Sequence, residues 1–437
     1  MNPTIDTTAV MDLTARDLAD LVEEVRAYHA LYSPLFQRRE QREQAAKYLQ
    51  GLLLELPRKS IEPLVLALEG AKSQAVRAMQ QFISEGSWDD TALLPRHWQE
   101  VARDLGEADG VLILDGSDFP KQGPESVGVK RQYCGELGKR ANCQAGVFLG
   151  SASRQGYTLL DRRLSLPQAW VAEATDAERR RRCGVPREVT FTTKPMLGWE
   201  MIQAVQQTSP LRCRWVTCDE ACGRDTDWLD RMAGVGVWYF AEVPHDTRVW
   251  RHRPGTAVPA WSGQGRKPTR TRVLAGAAQP EEVAQLAASL PANRWVWRTI
   301  KEGSKGPLVA RFARLRVMAV REGLPGPDVG LVLRHHVGTG ALTTSLSNAP
   351  AQTSLAALVR VSGMRWPIET CFEDGKQYLG MGEYEVRSWR GWHHHMTLVI
   401  LAHFFLVRLQ LSLTKSAGLD LAPGAGAADR SPAQAGV

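Results

Sequence analysis

The sequence predicts an α/β fold, a mixed sheet flanked by helices, with a helical region before it and a β-rich insertion within it. Three observations predict this. Residues 1–106 place apolar side chains at three- and four-residue steps, the period of a helix. At Gly110 the pattern changes to short continuous apolar runs, beginning with Val111–Leu114, and such runs mark buried strands. Between 244 and 348, strand-like runs alternate with Pro- and Gly-rich loops. A chain of 437 residues is long enough for two or three domains. The expected boundaries are 1–106 (helical), 107–243 (first part of the α/β core), 244–348 (insertion), 349–414 (end of the core) and 415–437 (tail).

In the helical region Leu18, Leu21, Val22 and Val25 step along one helix face. A second helix is expected over 33–56, carrying Arg38, Arg39, Arg42 and Lys47. Three more follow at 62–68, 74–83 and 94–105. A small helical domain with a basic helix suits DNA binding, although a basic face is also the ordinary dress of a solvated helix.

The core begins with the strand at 111–114, ending at Asp115. Strands at 143–149 and 157–166 should join it in an antiparallel meander. Arg179–Arg182 form a run of four arginines, read as a solvated loop or short helix. A helix opens at Pro195, a strand over 214–218 ends at Asp219, and a helix (226–232) and a strand (235–243) follow. In the insertion the strands fall at 247–250, 294–299, 308–320 and 329–335, with a basic loop at Arg266, Lys267, Arg270 and Arg272. A strand over 342–346 and a helix over 354–361 return to the core. A further helix starts at Pro367 and sets Glu369, Phe372, Glu373 and Lys376 on one face. The tail is rich in Ala, Gly and Pro and is expected to be disordered.

Composition narrows the function. The net charge of +7 favours a polyanionic partner. Fourteen Trp suit both burial and stacking on bases. Seven scattered Cys form no disulfide framework, which points to a reducing compartment. Cys213, Cys218 and Cys222 cluster without the spacing of paired zinc ligands. No export signal is expected at the N-terminus. The most apolar stretch, 396–411, is broken by His403, Arg408 and Gln410, so a buried helix is expected there and no membrane contact. Adjacent histidines on a helix point different ways, so His393–His395 make a poor metal site.

Two strand-end aspartates and a helix glutamate are the ligands that a two-cation phosphoryl-transfer site requires. Mg²⁺ takes hard oxygen ligands, few of them from protein, and two such ions can activate a hydroxyl and stabilise a leaving oxygen. Asp115, Asp219 and Glu369 are the candidates, with Asp115 bridging both ions.

Here the chain resembles the DDE transposases of bacterial insertion sequences, over about 110–410. That family's third carboxylate lies in a signature of Tyr, two residues, Arg, three residues, Glu, six residues, Lys. Arg365, Glu369 and Lys376 match it, while Ser362 stands where the family has Tyr. LDGSDFPKQG around Asp115 is similar to the first-Asp block, with Asp118 as a rival, and CDEACGRD around Asp219 to the second, with Glu220 as a rival. A subgroup of the family also carries a β-rich insertion between the second Asp and the Glu.

The resemblance implies a ribonuclease-H-like core that cleaves the ends of an insertion sequence and joins them to target DNA, using two Mg²⁺ ions, with Mn²⁺ as a substitute. Arg365 and Lys376 would contact phosphates near the scissile bond. Arg387 and Arg390, interleaved with Trp389 and Trp392, would form a DNA-contacting strip, and Lys121 a further contact. The partners implied are element ends and target DNA, with a homodimer on DNA, in the cytoplasm and associated with the nucleoid. The alternatives are a transposase-derived DNA-binding regulator that no longer cuts, and a metal-dependent nuclease that hydrolyses without joining.

Overall fold

The computed structural model describes residues 15–172, 174–301 and 306–416. In chain order its elements are α1 (Ala15–Ala30), α2 (Arg39–Leu53), α3 (Ile61–Glu69), α4 (Ser73–Ser84), α5 (Leu93–Leu105), β1 (Gly110–Pro120), β2 (Lys130–Cys134), β3 (Lys139–Ala152), β4 (Tyr157–Ser165), α6 (Ala169–Ala172), α7 (Ala174–Arg182), α8 (Lys194–Thr208) and β5 (Cys213–Cys218). Then come α9 (Glu220–Gly223), α10 (Thr226–Gly234), β6 (Trp238–Glu242), β7 (Arg248–Trp250), β8 (Thr256–Ala257), β9 (Arg272–Val273), β10 (Glu281–Glu282), α11 (Val283–Ala288), β11 (Val296–Lys301), β12 (Leu308–Arg321), β13 (Leu324–His336), β14 (Leu342–Ser347), α12 (Leu355–Gly363), α13 (Pro367–Tyr378) and α14 (Trp389–Ser416). The described residues fall into two compact units, one of residues 15–214 and 365–416, the other of residues 215–364. The expected tail lies, beyond Ser416, outside the described residues.

In the first unit β1, β3 and β4 form the expected antiparallel meander, with β3 in the middle. A short hairpin adds β2 to the end of β3. Helices α5, α13 and α14 pack on β4, and α8 packs on β3 and β4. The β4 edge turned away from β3 is covered by α5. There His97 Nε2 lies 2.8 Å from Leu159 O, and Trp98 Nε1 donates to Leu160 O at 3.0 Å. Both contacts satisfy strand carbonyls that a bare edge would leave open to another chain.

Helix α14 is the axis of this unit. It is long and apolar enough to cross a membrane by length and composition, but residues 391–405 are all buried in the protein. Helices α2, α4 and α5 pack around it. The three histidines go three ways, as helix geometry requires. His393 Nδ1 meets Trp389 O at 2.9 Å. His394 stacks on Trp88 at 3.7 Å and bonds Ile83 O at 2.9 Å. His395 Nδ1 meets Tyr48 Oη at 2.8 Å. Tyr28 Oη donates to Leu401 O at 2.8 Å. Of the expected α1 stripe Val25 is buried, Leu21 is half-buried and Val22 is exposed, a correction at that position, while the side chain of Leu18 lies outside the described residues. Within β4 the fully buried Arg162 is matched by Asp161 and by Asp90, as a buried guanidinium must be.

The second unit holds a mixed sheet flanked by helices. Strands β5 and β6 are parallel, and β6, β14, β13, β12, β7 and β10 continue antiparallel in that order, with β11 on β12. Helices α9, α10 and α12 lie against β6. The long β12–β13 hairpin turns at Glu322 and Gly323, both with positive φ (51° and 76°), a conformation that glycine adopts without strain. The α/β class is as expected. All seven cysteines are free thiols.

Candidate active site

Strand β1 is buried continuously from Gly110 to Leu114, and Asp115 is the first side chain to reach the surface, 16% exposed. The expectation that the strand ends at Asp115 is corrected: pairing with β3 continues to Pro120. What ends at Asp115 is the burial of both faces. Beyond it Ser117 and Phe119 still point inward while Gly116 and Pro120 face out. The apolar run therefore stopped where the cover stopped, not where the hydrogen bonds did. Gly116 N donates to Asp115 Oδ1 at 2.7 Å.

Phe148 of β3 stands opposite Asp115. Its ring meets Phe372 of α13 edge to face at 5.3 Å. One turn earlier Ile368 is fully buried, and the Cβ that Gly150 lacks would lie 3.4 Å from it. Pro367 begins α13, with Trp366 as its N-cap. These contacts fix the first turn of α13 over β3 and bring Glu369 toward Asp115.

Arg365 joins them. Its Nη1 lies 3.1 Å from Asp115 Oδ2 and its Nη2 lies 3.1 Å from Glu369 Oε1. The Arg365 and Glu369 side chains are 24% and 40% exposed, so the cluster is open to solvent. One guanidinium sits between two carboxylates.

The other predicted residues are placed as follows. Asp219 lies in the second unit at the end of β5, as expected. Its Oδ1 caps α9, accepting from Ala221 N at 3.1 Å and Cys222 N at 3.3 Å. Glu220 is in the first turn of α9. Asp118 Oδ2 accepts from Gly135 N at 2.7 Å. Glu373 is exposed one turn beyond Glu369. Lys376 Nζ pairs with Glu136 and lies 5.6 Å from the Phe119 ring. Lys121 Nζ donates to Tyr384 O at 2.9 Å and sits 3.4 Å over that ring; burial pushes its ammonium down to about 8. Ser362, in the second unit, is buried and donates to Val359 O at 2.7 Å.

Arg387 and Arg390 are exposed and line a hollow of about 640 Å³ with Arg182, Glu85, Glu125 and Glu385. The hollow carries both signs of charge. Trp392 is buried against Phe148 and Trp389 is half-buried, so of the two only Trp389 retains an accessible face. The arginine run forms the last turn of α7 and is engaged locally: Arg179 stacks over Trp170 at 4.2 Å, Arg180 donates to Val189 O at 2.8 Å, and Arg181 pairs with Glu178 at 2.8 Å.

A further basic residue, Lys194, stands by Gly116 with no signal in the sequence that places it there. The Nζ of Lys194, at the start of α8, would stand 3.9 Å from a Cβ built on Gly116. Thr193-Lys194-Pro195 carries only a helix-start signal, with Thr193 as the cap. Nothing local says which strand that start faces.

Among the described residues no three His, Cys, Asp or Glu side chains are gathered closely enough to form a ready metal cage. Asp115 and Glu369 nevertheless converge on a single cation, the guanidinium, with hard oxygen donors. Mg²⁺ keeps much of its water and is commonly held by one or two carboxylates, so this pair fits a hard divalent ion.

A family model described as DDE superfamily endonuclease matches residues 31–307. The chain belongs to the DDE endonuclease superfamily. Its mixed α/β architecture is consistent with a ribonuclease-H-like DDE domain. Endonucleases of this superfamily generally use divalent metal ions. The matched stretch contains Asp115 and Asp219 and stops before Arg365, Glu369 and Lys376. A probable transposase for insertion sequence element IS701 from Microchaete diplosiphon is 31% identical over 141 residues, 31% of this chain and 36% of that protein. The match thus spans about a third of that relative.

Proposed function

We propose that this DDE chain is an insertion-sequence transposase that cleaves the ends of its element and joins them to target DNA. The observation that carries the reading is the convergence of Asp115 and Glu369 on one cation, through an Arg365 that is 250 residues from Asp115 in the chain. Asp219, held at the end of β5 by its cap, is the third carboxylate of the reading. The set would hold two Mg²⁺ ions, with Mn²⁺ able to replace them. When bound, such ions activate the attacking hydroxyl and stabilise the leaving oxygen.

The chain's own groups then bind and orient. Arg365, just before α13, presents a planar fork suited to a phosphodiester, and Lys376 in the last turn of α13 adds a second cation. Arg387 and Arg390 extend the contact along the DNA backbone. The enzyme acts in the cytoplasm at the nucleoid, as a homodimer on DNA.

A strand-transfer assay with pre-cut element ends tests the reading. Joined product in Mg²⁺ is expected. Hydrolysis without joining would leave a nuclease, and binding without cutting a regulator. Glu369→Gln should abolish cleavage and leave DNA binding intact. A Glu369→Gln protein that cuts at near wild-type rate would remove Glu369 from the site and make Glu373 the next residue to examine.

A further inference from the structure

The Arg365 guanidinium stands where a metal ion would have to stand. It contacts an Asp115 oxygen and a Glu369 oxygen at 3.1 Å each. An ion shared by the same two oxygens must come within about 2.1 Å of each. Two cations cannot occupy that gap together. We infer that Arg365 is the resident counter-ion of the Asp115–Glu369 pair, and that it must swing out before a divalent ion can load. The inference rests on the reading of those carboxylates as metal ligands.

Three features make the exchange feasible. Arg365 lies before the first turn of α13, outside the helix, so its side chain can turn without unwinding that turn. The cluster is partly exposed, and exposed ion pairs hold weakly. The group that would draw Arg365 away is a DNA phosphate, which takes a guanidinium in the same two-pronged way as a carboxylate. An arriving phosphodiester therefore removes the competitor and frees both carboxylates in one movement. Metal loading and DNA binding become linked, each strengthening the other by the same factor. Without DNA the site holds metal more weakly, which lowers stray cleavage.

Mn²⁺ titration of the full chain, followed by calorimetry and by the spin-resonance signal of free Mn²⁺, tests this with no activity readout. Without DNA, Arg365→Gln should bind Mn²⁺ about fivefold more tightly than wild type, the scale of two weak ion pairs removed. Adding a short duplex should raise wild-type affinity by a similar factor and leave Arg365→Gln nearly unchanged. Should Arg365→Gln fail to fold, Arg365→Lys takes its place. A lysine cannot bridge both carboxylates with a fork, so its Mn²⁺ affinity should also rise, by less.

Asp115→Asn and Glu369→Gln separate the two levels. If both lower Mn²⁺ affinity while the Arg365 variants leave it unchanged or weaker, the exchange is wrong and the metal reading stands. If both bind Mn²⁺ as wild type does, with and without DNA, the metal reading itself falls.

Discussion

The rings of Phe148 and Phe372 meet edge to face, with centroids 5.3 Å apart and planes at 66°. Phe148 is the cross-strand partner of Asp115, and Phe372 lies one helical turn beyond Glu369. An apolar contact thus helps to set the separation of the two carboxylates. Phe372→Leu keeps most of the buried volume and should cost little stability, about 1 kcal/mol. It loses the edge-to-face fit that aims the first turn of α13. Cleavage should fall by roughly an order of magnitude, more than the stability loss explains. Urea unfolding and end-cleavage rates on the same preparation check this; equal losses in both would mean that the ring only fills space.

Helix α8 approaches β1 just behind Asp115. A Cβ at Gly198 would stand 2.1 Å from Leu114 Cδ2 and 2.6 Å from Cδ1, so the whole Leu114 side chain would have to move. Leu114 is buried and has little room for that. Gly198→Ala should therefore destabilise the protein by about 1–3 kcal/mol through overpacking, less the roughly 1 kcal/mol that alanine returns in a helix. A lower urea midpoint with an unchanged slope is expected. A midpoint equal to or above wild type would show that α8 can retreat from β1 without cost.

Much of this architecture was legible in the sequence because local period reports local structure. The helices at 62–68, 74–83 and 94–105 and the strand at 157–166 appear within about one residue of their expected ends, while β1 and β3 run on beyond theirs. Asp219 was placed at a strand end because both faces of β5 lose their cover where the hydrogen bonds stop. Asp115 was misplaced in its strand because cover and pairing end at different residues there. Trp392 was assigned to a DNA strip because an aromatic next to arginines looks the same whether it stacks on a base or on Phe148. Lys194 and the Phe148–Phe372 contact had no signal, since they depend on which elements meet across long separations.

Acid should unfold this protein early. Burial lowers His97, His393 and His394 to about 4 and His395 to about 3, partly opposed at His393 and His394 by the nearby Asp90. In the unfolded chain each titrates near its ordinary value of 6.5. Between about pH 6.5 and 4 the unfolded state therefore binds more protons, so stability is complete above that window and lost as pH falls through it. The urea midpoint should drop steeply from pH 7 to 4.5, with proton uptake on unfolding approaching the four histidines. A Tyr48→Phe variant keeps the burial of His395 and should leave the slope nearly intact. A flat midpoint over that range would mean that these rings are protonated in the folded state.

Asp219 caps a helix and is proposed to hold a metal ion, and the two roles can be separated. Its Oδ1 caps α9 through Ala221 N and Cys222 N, and its carboxylate charge is proposed to hold a metal ion. Asparagine caps a helix about as well as aspartate, whereas alanine loses the cap at a cost of about 1 kcal/mol. Asp219→Asn should thus keep wild-type stability, DNA affinity and salt dependence, because the proposed phosphate contacts come from Arg and Lys. Its cleavage should collapse as fully as that of Asp115→Asn or Glu369→Gln. Combining it with either should add little, since residues that act as one unit do not lose rate additively. Asp219→Ala should show the same loss of cleavage and also melt earlier. If Asp219→Asn cuts normally while Asp219→Ala is impaired only in proportion to its lost stability, then Asp219 is a cap alone. Glu220, the next carboxylate along, would become the candidate for the third ligand.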